Sequence, residues 1–447
     1  MRHIYKTTTI VIKPKSQLIS YCEEMCSEAK LFKNVVIFYC RQLLSAKQKG
    51  YVGLQINEKT VLDEFKLTEG TFKKIDSKYY LPGYFHFDYL FKVTNNPDYY
   101  NHLPMQSNQQ IIKEVLADFK SYFKGIKAYK KNPDSFTGKP KFPGYCKSEQ
   151  VSFDITNQDC VVKTDKEGYS HLKLPKTKLT VNLGKIKPGR LKEVTIKPYY
   201  DTYKICIVSE EPDTKPIDLD YEKHLSLDLG IDNFAASGND CGLAPFIIKG
   251  NEIKSYNQWF NKKNAYLHSQ LPKGQYSSQQ IQMLWKKQNH KMTDFYNKAA
   301  SFVIHYCIDH KIGNLVIGKN PKWKQGLEMG KKNNQNFCYI SHAHFIRKVT
   351  EMAEYRGIQV IITEESYTSK ASFLDGDMIP AYGDLMIPCF SGKRIHRGLY
   401  KSREGILINA DVNAACNILR KAVKTAFDKV SDFTYLYQTV NTIHVNP

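Results

Sequence analysis

Two aspartates far apart in the chain carry the chemistry. Asp228 lies in Leu225-Ser226-Leu227-Asp228-Leu229-Gly230-Ile231-Asp232-Asn233, and Asp411 opens Asp411-Val412-Asn413 ahead of the helical run Ala414-Ala415-Cys416-Asn417-Ile418-Leu419. The first segment alternates as a strand. Leu225, Leu227, Leu229 and Ile231 face one side; Ser226, Asp228, Gly230 and Asp232 face the other. A carboxylate on the open face, flanked by Ser and Gly, leaves room for a metal ion and a phosphate. Asp232 shares that face but lies about 13 Å further along at the usual strand rise, so it reads as a turn residue; with Asn413 it is a candidate to support the ligands rather than to be one. Glu364 and Glu365 end the apolar run Ile358 to Thr363. If the strand persists they point to opposite faces, so only one can serve; the plain alternative is a polar strand end. His342 and His344 resemble a metal pair but, at i and i+2, share no helix face. They read as structural or RNA-contacting.

The elements that must position these residues follow from periodicity. His3 to Lys13 alternates as a strand, residues 16–50 read as amphipathic helices, and a further helix covers Gln106 to Tyr129. The aromatic stretch Tyr79 to Tyr100 between them suits packing or base stacking. Gly138 to Tyr145 is a basic extended segment with interleaved aromatics, including Lys139 and Lys141. Residues 150–212 give short alternating strands, a small β barrel or sheet, and the acidic stretch 210–220 marks a boundary. Beyond it come strands at 224–231, 233–237 and 244–249, with a turn at Gly238-Asn239-Asp240. Helices at 251–271 and 278–311, strand 314–317, a helix at 341–356, strand 358–363 and the helix from Asp411 complete the pattern. Three antiparallel strands, then helix, strand, helix, strand, helix, is the order of an RNase H-type α/β fold, which holds carboxylates at strand ends.

The chain has 447 residues, with Lys+Arg 65 against Asp+Glu 44 and a net charge of +21. That points to a polyanion, DNA or RNA; a Lys-rich solvated surface is the bland alternative. No run approaches the roughly 18 apolar residues of a membrane span, and the N-terminus lacks a signal-peptide core. The eleven cysteines include no CxxC pair, so disulfides are not expected and the compartment reads as reducing; with the basic charge, a cytoplasmic, nucleoid-associated setting is the expectation. Cys22 and Cys26 read as core.

The residues around Asp228 and Asp411 resemble the RuvC-like nuclease of the TnpB (OrfB) family, transposon-encoded RNA-guided nucleases related to type V CRISPR effectors. The likeness extends to Gln106-Ser107-Asn108-Gln109-Gln110 with Phe119 and Phe123, to Gly138-Lys139-Pro140-Lys141-Phe142-Pro143, and to Trp285 through Asp294, similar to a bridging helix. It also takes in Asn314 to Gln325, Tyr367-Thr368-Ser369-Lys370 and Asp411 to Ile418. The resemblance implies an RNase H-like (RuvC) nuclease domain at 216–447, with a degenerate zinc-ribbon insertion near 368–400. It also implies an N-terminal wedge β barrel, residues 1–15 and 125–215, interrupted by a helical recognition domain at 16–124. The implied partners are a guide RNA from the transposon end and double-stranded target DNA beside a short adjacent motif, with guide pairing selecting the sequence. No membrane partner is expected, and the oligomeric state is left open, a monomer being compatible with the sequence.

Two departures follow. Most of the family carries its second catalytic Glu at the strand end that here reads Gly318, which cannot ligate a metal. Either the nuclease is dead, or the ligand has moved to Glu364-Glu365. A subset of the family, eukaryotic relatives included, resembles the second case, with Gly at the first site and Glu three residues before the Thr-Ser. That register selects Glu365, so the expected set for two Mg²⁺ ions is Asp228, Glu365 and Asp411. Second, the two CxxC pairs of the family's zinc ribbon are reduced here to Cys389 in Cys389-Phe390-Ser391-Gly392, so no structural zinc is expected; Tyr382, Ile387 and Phe390 are candidates for a small apolar core instead. Nucleic-acid contacts are expected from Lys139, Lys141, Lys286, Lys287, Trp323, Lys324, Lys393, Arg394 and Arg397. Trp323 serves equally as a surface anchor, and the 393–397 run as a solvated loop. Three readings result: an RNA-guided DNA endonuclease, a nuclease-inactive guided binder acting as a repressor, and, with no recombinase-like Tyr or Ser nucleophile to support it, a DNA transposase.

Overall fold

The computed structural model describes residues 4–72, 81–212, 217–319, 340–381, 383–384 and 389–446. The chain divides into two units, Met1–Asp213 and Thr214–Pro447, with a boundary inside the acidic stretch.

The first unit mixes helices with two antiparallel sheets. Its strands are β1 (Ile4–Val11), β2 (Phe153–Thr156), β3 (Val161–Thr164), β4 (Ser170–Lys173), β5 (Thr180–Asn182), β6 (Arg190–Tyr199) and β7 (Thr202–Glu211). One sheet runs β1-β7-β6-β2 and the other β3-β4-β5. The first strand of the chain thus pairs with β7, Thr8 opposite Ile207. Inserted between β1 and β2 are helices α1 (Leu18–Gln48), α2 (Ile56–Lys66), α3 (Tyr84–Val93) and α4 (Met105–Lys131). Residues 16–50 form one helix rather than several, because Cys22, Cys26, Ala29, Phe32, Val36, Cys40 and Leu43 keep a single buried stripe throughout. The aromatic stretch holds α3, whose Phe87 and Phe91 are buried; Tyr99 is buried too and packs on Phe32 rather than waiting for a base.

The second unit is a six-stranded sheet between helices. Its strands are β8 (Asp220–Leu229), β9 (Asn233–Asn239), β10 (Phe246–Lys249), β11 (Ile312–Gly318), β12 (Gln359–Thr363), a hairpin sheet of β13 (Lys393–His396), β14 (Leu399–Lys401) and β15 (Leu407–Asn409), and β16 (Asn441–Ile443). The main sheet is ordered β12-β11-β8-β9-β10-β16. Gly238 and Asn239, expected in a turn, continue β9 opposite Ser226 and Leu225, so the turn falls later. Helices α5 (Asn251–Ser269), α6 (Gln279–Asp309), α7 (His342–Tyr355), α8 (Ala410–Ala422) and the short α9 (Tyr435–Gln438) complete the unit. Leu225, Leu227 and Leu229 pack with Phe295, Val303 and Phe345 of α6 and α7. The opposite face carries small residues. Ala236 and Ile247 meet Val412 and Cys416 of α8, and a Cβ on Gly238 would stand 2.8 Å from the Cys416 nitrogen. Ser226, fully buried, donates its hydroxyl to the Ala415 carbonyl at 2.7 Å. Small side chains let α8 approach, and the serine fixes its height on the sheet.

Among the described residues no helix is long and apolar enough to cross a membrane.

Candidate active site

Three parallel strands end together. Val316 pairs with Ser226 and Ile317 with Leu227, so Gly318 comes next to Asp228; Gly318 pairs on its other side with Thr363. The carboxyl ends of parallel strands are where open α/β sheets place their sites. Asp228 faces α8, on the side of Ser226. From α8 comes Asp411, in the first turn, where Asn409 caps the helix by accepting from the Asp411 and Val412 amides. A carboxylate at that end meets the positive pole of the helix.

Glu365 follows the end of the third strand. β12 stops at Thr363, and the chain turns through Glu364–Ser366 into Tyr367, whose φ of 67° lies in the left-handed region. For a bulky residue that conformation costs about 1–2 kcal/mol. The two glutamates part company at this turn. Glu364 pairs with Lys421 at 2.5 Å and accepts from the Ser366 amide; burial opposes ionisation there, but these donors hold its carboxyl below the usual range. Glu365 goes the other way. A Cβ built on Gly318 would lie 2.7 Å from Glu365 Oε2, so that carboxylate occupies the space over the glycine, in the row of Asp228. Burial, and then the Glu364 charge, push Glu365 up to about 7. Asp228 is raised well above its ordinary value, first by burial and then by the negative charges of Glu365 and Asp411; Arg394 offsets part of this.

Asp411 already has cationic and polar company. Asn233 donates to its Oδ2 at 2.7 Å and Arg394 to its Oδ1 at 3.1 Å. Arg394 also donates to the Arg397 carbonyl, Arg397 pairs with Asp232 at 2.7 Å, and Lys254 with the same carboxylate at 2.5 Å. Asp232 is therefore an ion-pair anchor just past the strand. Asn413 supports no ligand directly: fully buried, it donates to the Ala371 carbonyl and accepts from the Phe373 amide. His342 is also buried, stacked on Phe234, and donates through Nε2 to the Gly230 carbonyl; His344 lies tilted against Tyr296. Neither histidine forms a metal pair.

Among the described residues no three His, Cys, Asp or Glu side chains stand in a ready-made metal-holding group. The donor set nevertheless fits a hard divalent cation. It is all oxygen, and two of its carboxylates are pushed toward protonation by burial and neighbouring negative charge. Arg394 takes up one oxygen of Asp411, its Oδ1.

Residues 205–324 match the family profile OrfB_IS605, described as a probable transposase, and residues 342–418 match that of the Cas12f1-like TNB domain. These stretches of the chain are similar to the OrfB (TnpB) transposase family and to the Cas12f1-like TNB domain. No curated protein matches it. Among solved structures it is similar to the protein of a Cas12f1–sgRNA–target DNA complex, with 14% identity, 90% of this chain and 82% of that chain covered, and a TM-score of 0.47. It is also similar to CasPhi-2 (Cas12j) bound to crRNA, with 9% identity, 96% and 98% coverage and a TM-score of 0.44. For C2c1 of Alicyclobacillus acidoterrestris with single-guide RNA the figures are 10%, 92% and 33%, and 0.26.

The remaining residues singled out from the sequence are distributed as follows. Lys139 and Lys141 are exposed on an extended segment, where Arg41 lies over the Phe142 and Tyr145 rings. Lys286 and Lys287 lie on α6, with the Lys287 ammonium 5.9 Å from the Trp259 ring centre. Lys393 and Arg394 are on β13 and Arg397 in its turn. Trp323, Lys324, Tyr382 and Ile387 lie outside the described residues. Arg394, expected along a nucleic-acid path or in a solvated loop, touches Asp411 itself. Asn233 was missed: nothing in its sequence setting separates it from a strand-start residue, and only the fold brings it to Asp411.

Proposed function

We propose that this chain is an RNA-guided DNA endonuclease whose RNase H-like (RuvC) unit uses Asp228, Glu365 and Asp411. The carrying observation is the Glu365 carboxylate seated over Gly318, beside Asp228 at one sheet edge, in a chain whose residues 205–324 match the OrfB_IS605 profile. The strand order β10-β9-β8-β11-β12 supports the RNase H-like reading. The pairing of β1 with β7 around inserted helices supports a wedge domain (1–15 and 125–215) interrupted by a helical recognition domain (16–124), ahead of the nuclease domain at 216–447.

The three carboxylates would hold two Mg²⁺ ions, which when bound supply an activated water and stabilise the leaving 3′ oxygen of a phosphodiester. The chain's own residues do the rest. Asn233 orients Asp411, Ser226 and Gly238 set the distance of α8 from β8, and Arg394, released from Asp411, is placed to meet the phosphate. Guide RNA and duplex target DNA are the partners that the charge of +21 suits; the similar Cas12f1 structure holds an sgRNA and target DNA.

A guided binder that never cuts is the second reading, favoured by the Arg394–Asp411 contact, which occupies a ligand oxygen. Sequencing the RNA that copurifies with the protein, then offering a matched supercoiled plasmid with Mg²⁺, separates the two. Linear or nicked product supports the nuclease; retained binding without cleavage supports the binder.

A further inference from the structure

We propose that Asp377 is a positioning residue: with Ser372, Asp375 and Ser391 it forms a metal-free clasp that fixes the β13 hairpin, so that Arg394 stays at the catalytic edge when Asp411 releases it. The inference rests on the nuclease reading above and deepens it.

The clasp lies in the insertion where a zinc ribbon was the family expectation. Asp377 gathers donors from two distant segments. Its Oδ2 accepts from the Ser372 amide at 2.7 Å and the Ser391 amide at 3.1 Å, and its Oδ1 from the Ser391 hydroxyl at 2.6 Å. Asp375 adds a second tie: it accepts from the Arg403 amide at 2.8 Å and shares, at 3.0 Å, the single proton of the same hydroxyl. Hydrogen bonds to an ionised carboxylate are roughly twice as strong as neutral ones. A single centre drawing together residue 372 and residue 391 does what a tetrahedral metal would do there.

What the clasp joins is the catalytic edge. On α8, Asn413, Asn417 and Arg420 project to one side at i, i+4 and i+7. Asn413 and Asn417 donate to the Ala371 carbonyl, Asn417 also to that of Thr368, and Arg420 to the Asp377 carbonyl at 2.6 Å. The strand that starts just after Ser391 carries Arg394, and Gly392 is needed there because a Cβ would meet Tyr400 at 2.5 Å. Tyr400, buried, donates to the Lys370 carbonyl. Asp377 thus sits between the helix bearing Asp411 and the hairpin bearing Arg394.

The test compares Asp377→Ala, Arg394→Ala, the double variant and Ser391→Ala in the full chain with its guide RNA. Three readouts are used: single-turnover cutting, binding of matched target, and hydrogen exchange over residues 391–403. A misplacement of the order of 1 Å costs about a hundredfold in rate. Asp377→Ala is therefore expected to cut about a hundredfold more slowly, to bind target like the wild type and to exchange faster over 391–403. The double variant should cut no more slowly than Arg394→Ala. Ser391→Ala, which keeps both carboxylates, should change in the same direction and by less; it carries the test if Asp377→Ala does not fold. Wild-type exchange in either variant, a double variant slowed by the product of the single effects, or one zinc per purified chain whose removal loosens the hairpin would overturn the clasp. If the wild type binds matched target but never cuts, the nuclease reading fails and the exchange data alone judge the clasp.

Discussion

Gly318→Ala is the most exacting perturbation of the site. The added Cβ would stand 2.6 Å from Ile418 Cδ1, 3.2 Å from Ile418 Cγ1 and 2.7 Å from Glu365 Oε2. Carbon atoms pack comfortably at about 3.5–4.0 Å and carbon against oxygen at about 3.3 Å, so the shortfalls are about 1 Å and about 0.6 Å. Ile418 is fully buried, and overpacking there costs about 1–3 kcal/mol. Glu365 can move more cheaply by swinging off the glycine, away from Asp228. Guided plasmid cleavage should then fall about ten- to a hundredfold while guide RNA and target binding stay at wild-type values. Adding Ile418→Val removes the nearest carbon, so the Gly318→Ala/Ile418→Val pair should regain thermal stability but not cutting. Wild-type cutting rates in Gly318→Ala, at the same Mg²⁺ demand, would refute the idea that Glu365 has taken over the space of residue 318.

Other outcomes follow from the same geometry. With its carboxyl pushed up to about 7 against an ordinary 4.5, Glu365 holds a proton in the folded state that the unfolded chain has released. Metal-free stability should therefore fall as pH rises from about 4.5 through about 7 and flatten above, by about 3 kcal/mol at most; Asp228 acts in the same direction. Glu365→Gln should accordingly raise the metal-free melting temperature at pH 8 and not at pH 5, while Mg²⁺ should stabilise the wild type and not the variant. Glu364→Gln loses the Lys421 pair and about 1 kcal/mol of stability, which chemical denaturation will measure, yet should keep most of the cutting. Gly238→Ala pushes α8 off the sheet, since its Cβ would meet Cys416 N, Cys416 Sγ and Ser226 Oγ at 2.8–2.9 Å. It should cost about 1–3 kcal/mol and lower cleavage together with the melting temperature.

The second unit was legible because its signals are local. Period-two alternation around Asp228, the buried run of β11 and the stripe of α8 each declare an element without help from the rest of the chain. The same alternation misplaced the turn after β9: Gly238 and Asn239 look like turn residues, but Gly238 is small because α8 crosses it. In the first unit α2 and α3 escaped because they are short, and α3 is so aromatic that its helical period is hidden. At the site, the row of Asp228, Gly318 and Thr363 is a matter of register between strands far apart in the chain, so no local pattern could show Glu365 reaching over Gly318. Arg394 and Asn233 at Asp411 are tertiary in the same way. The clasp of Asp375, Asp377 and Ser391 was hidden too, because serines and aspartates in a loop look like solvated turn chemistry until their partners are known.

The most direct measurement is the rate at which the purified guide complex cuts its matched plasmid in Mg²⁺, with Glu365→Ala and Glu364→Ala compared side by side. Cutting by the wild type and Glu364→Ala, with none by Glu365→Ala, Asp228→Ala or Asp411→Ala, is the expected pattern. Undiminished cutting by Glu365→Ala, or a wild type that binds the plasmid and leaves it intact, would contradict the assignment.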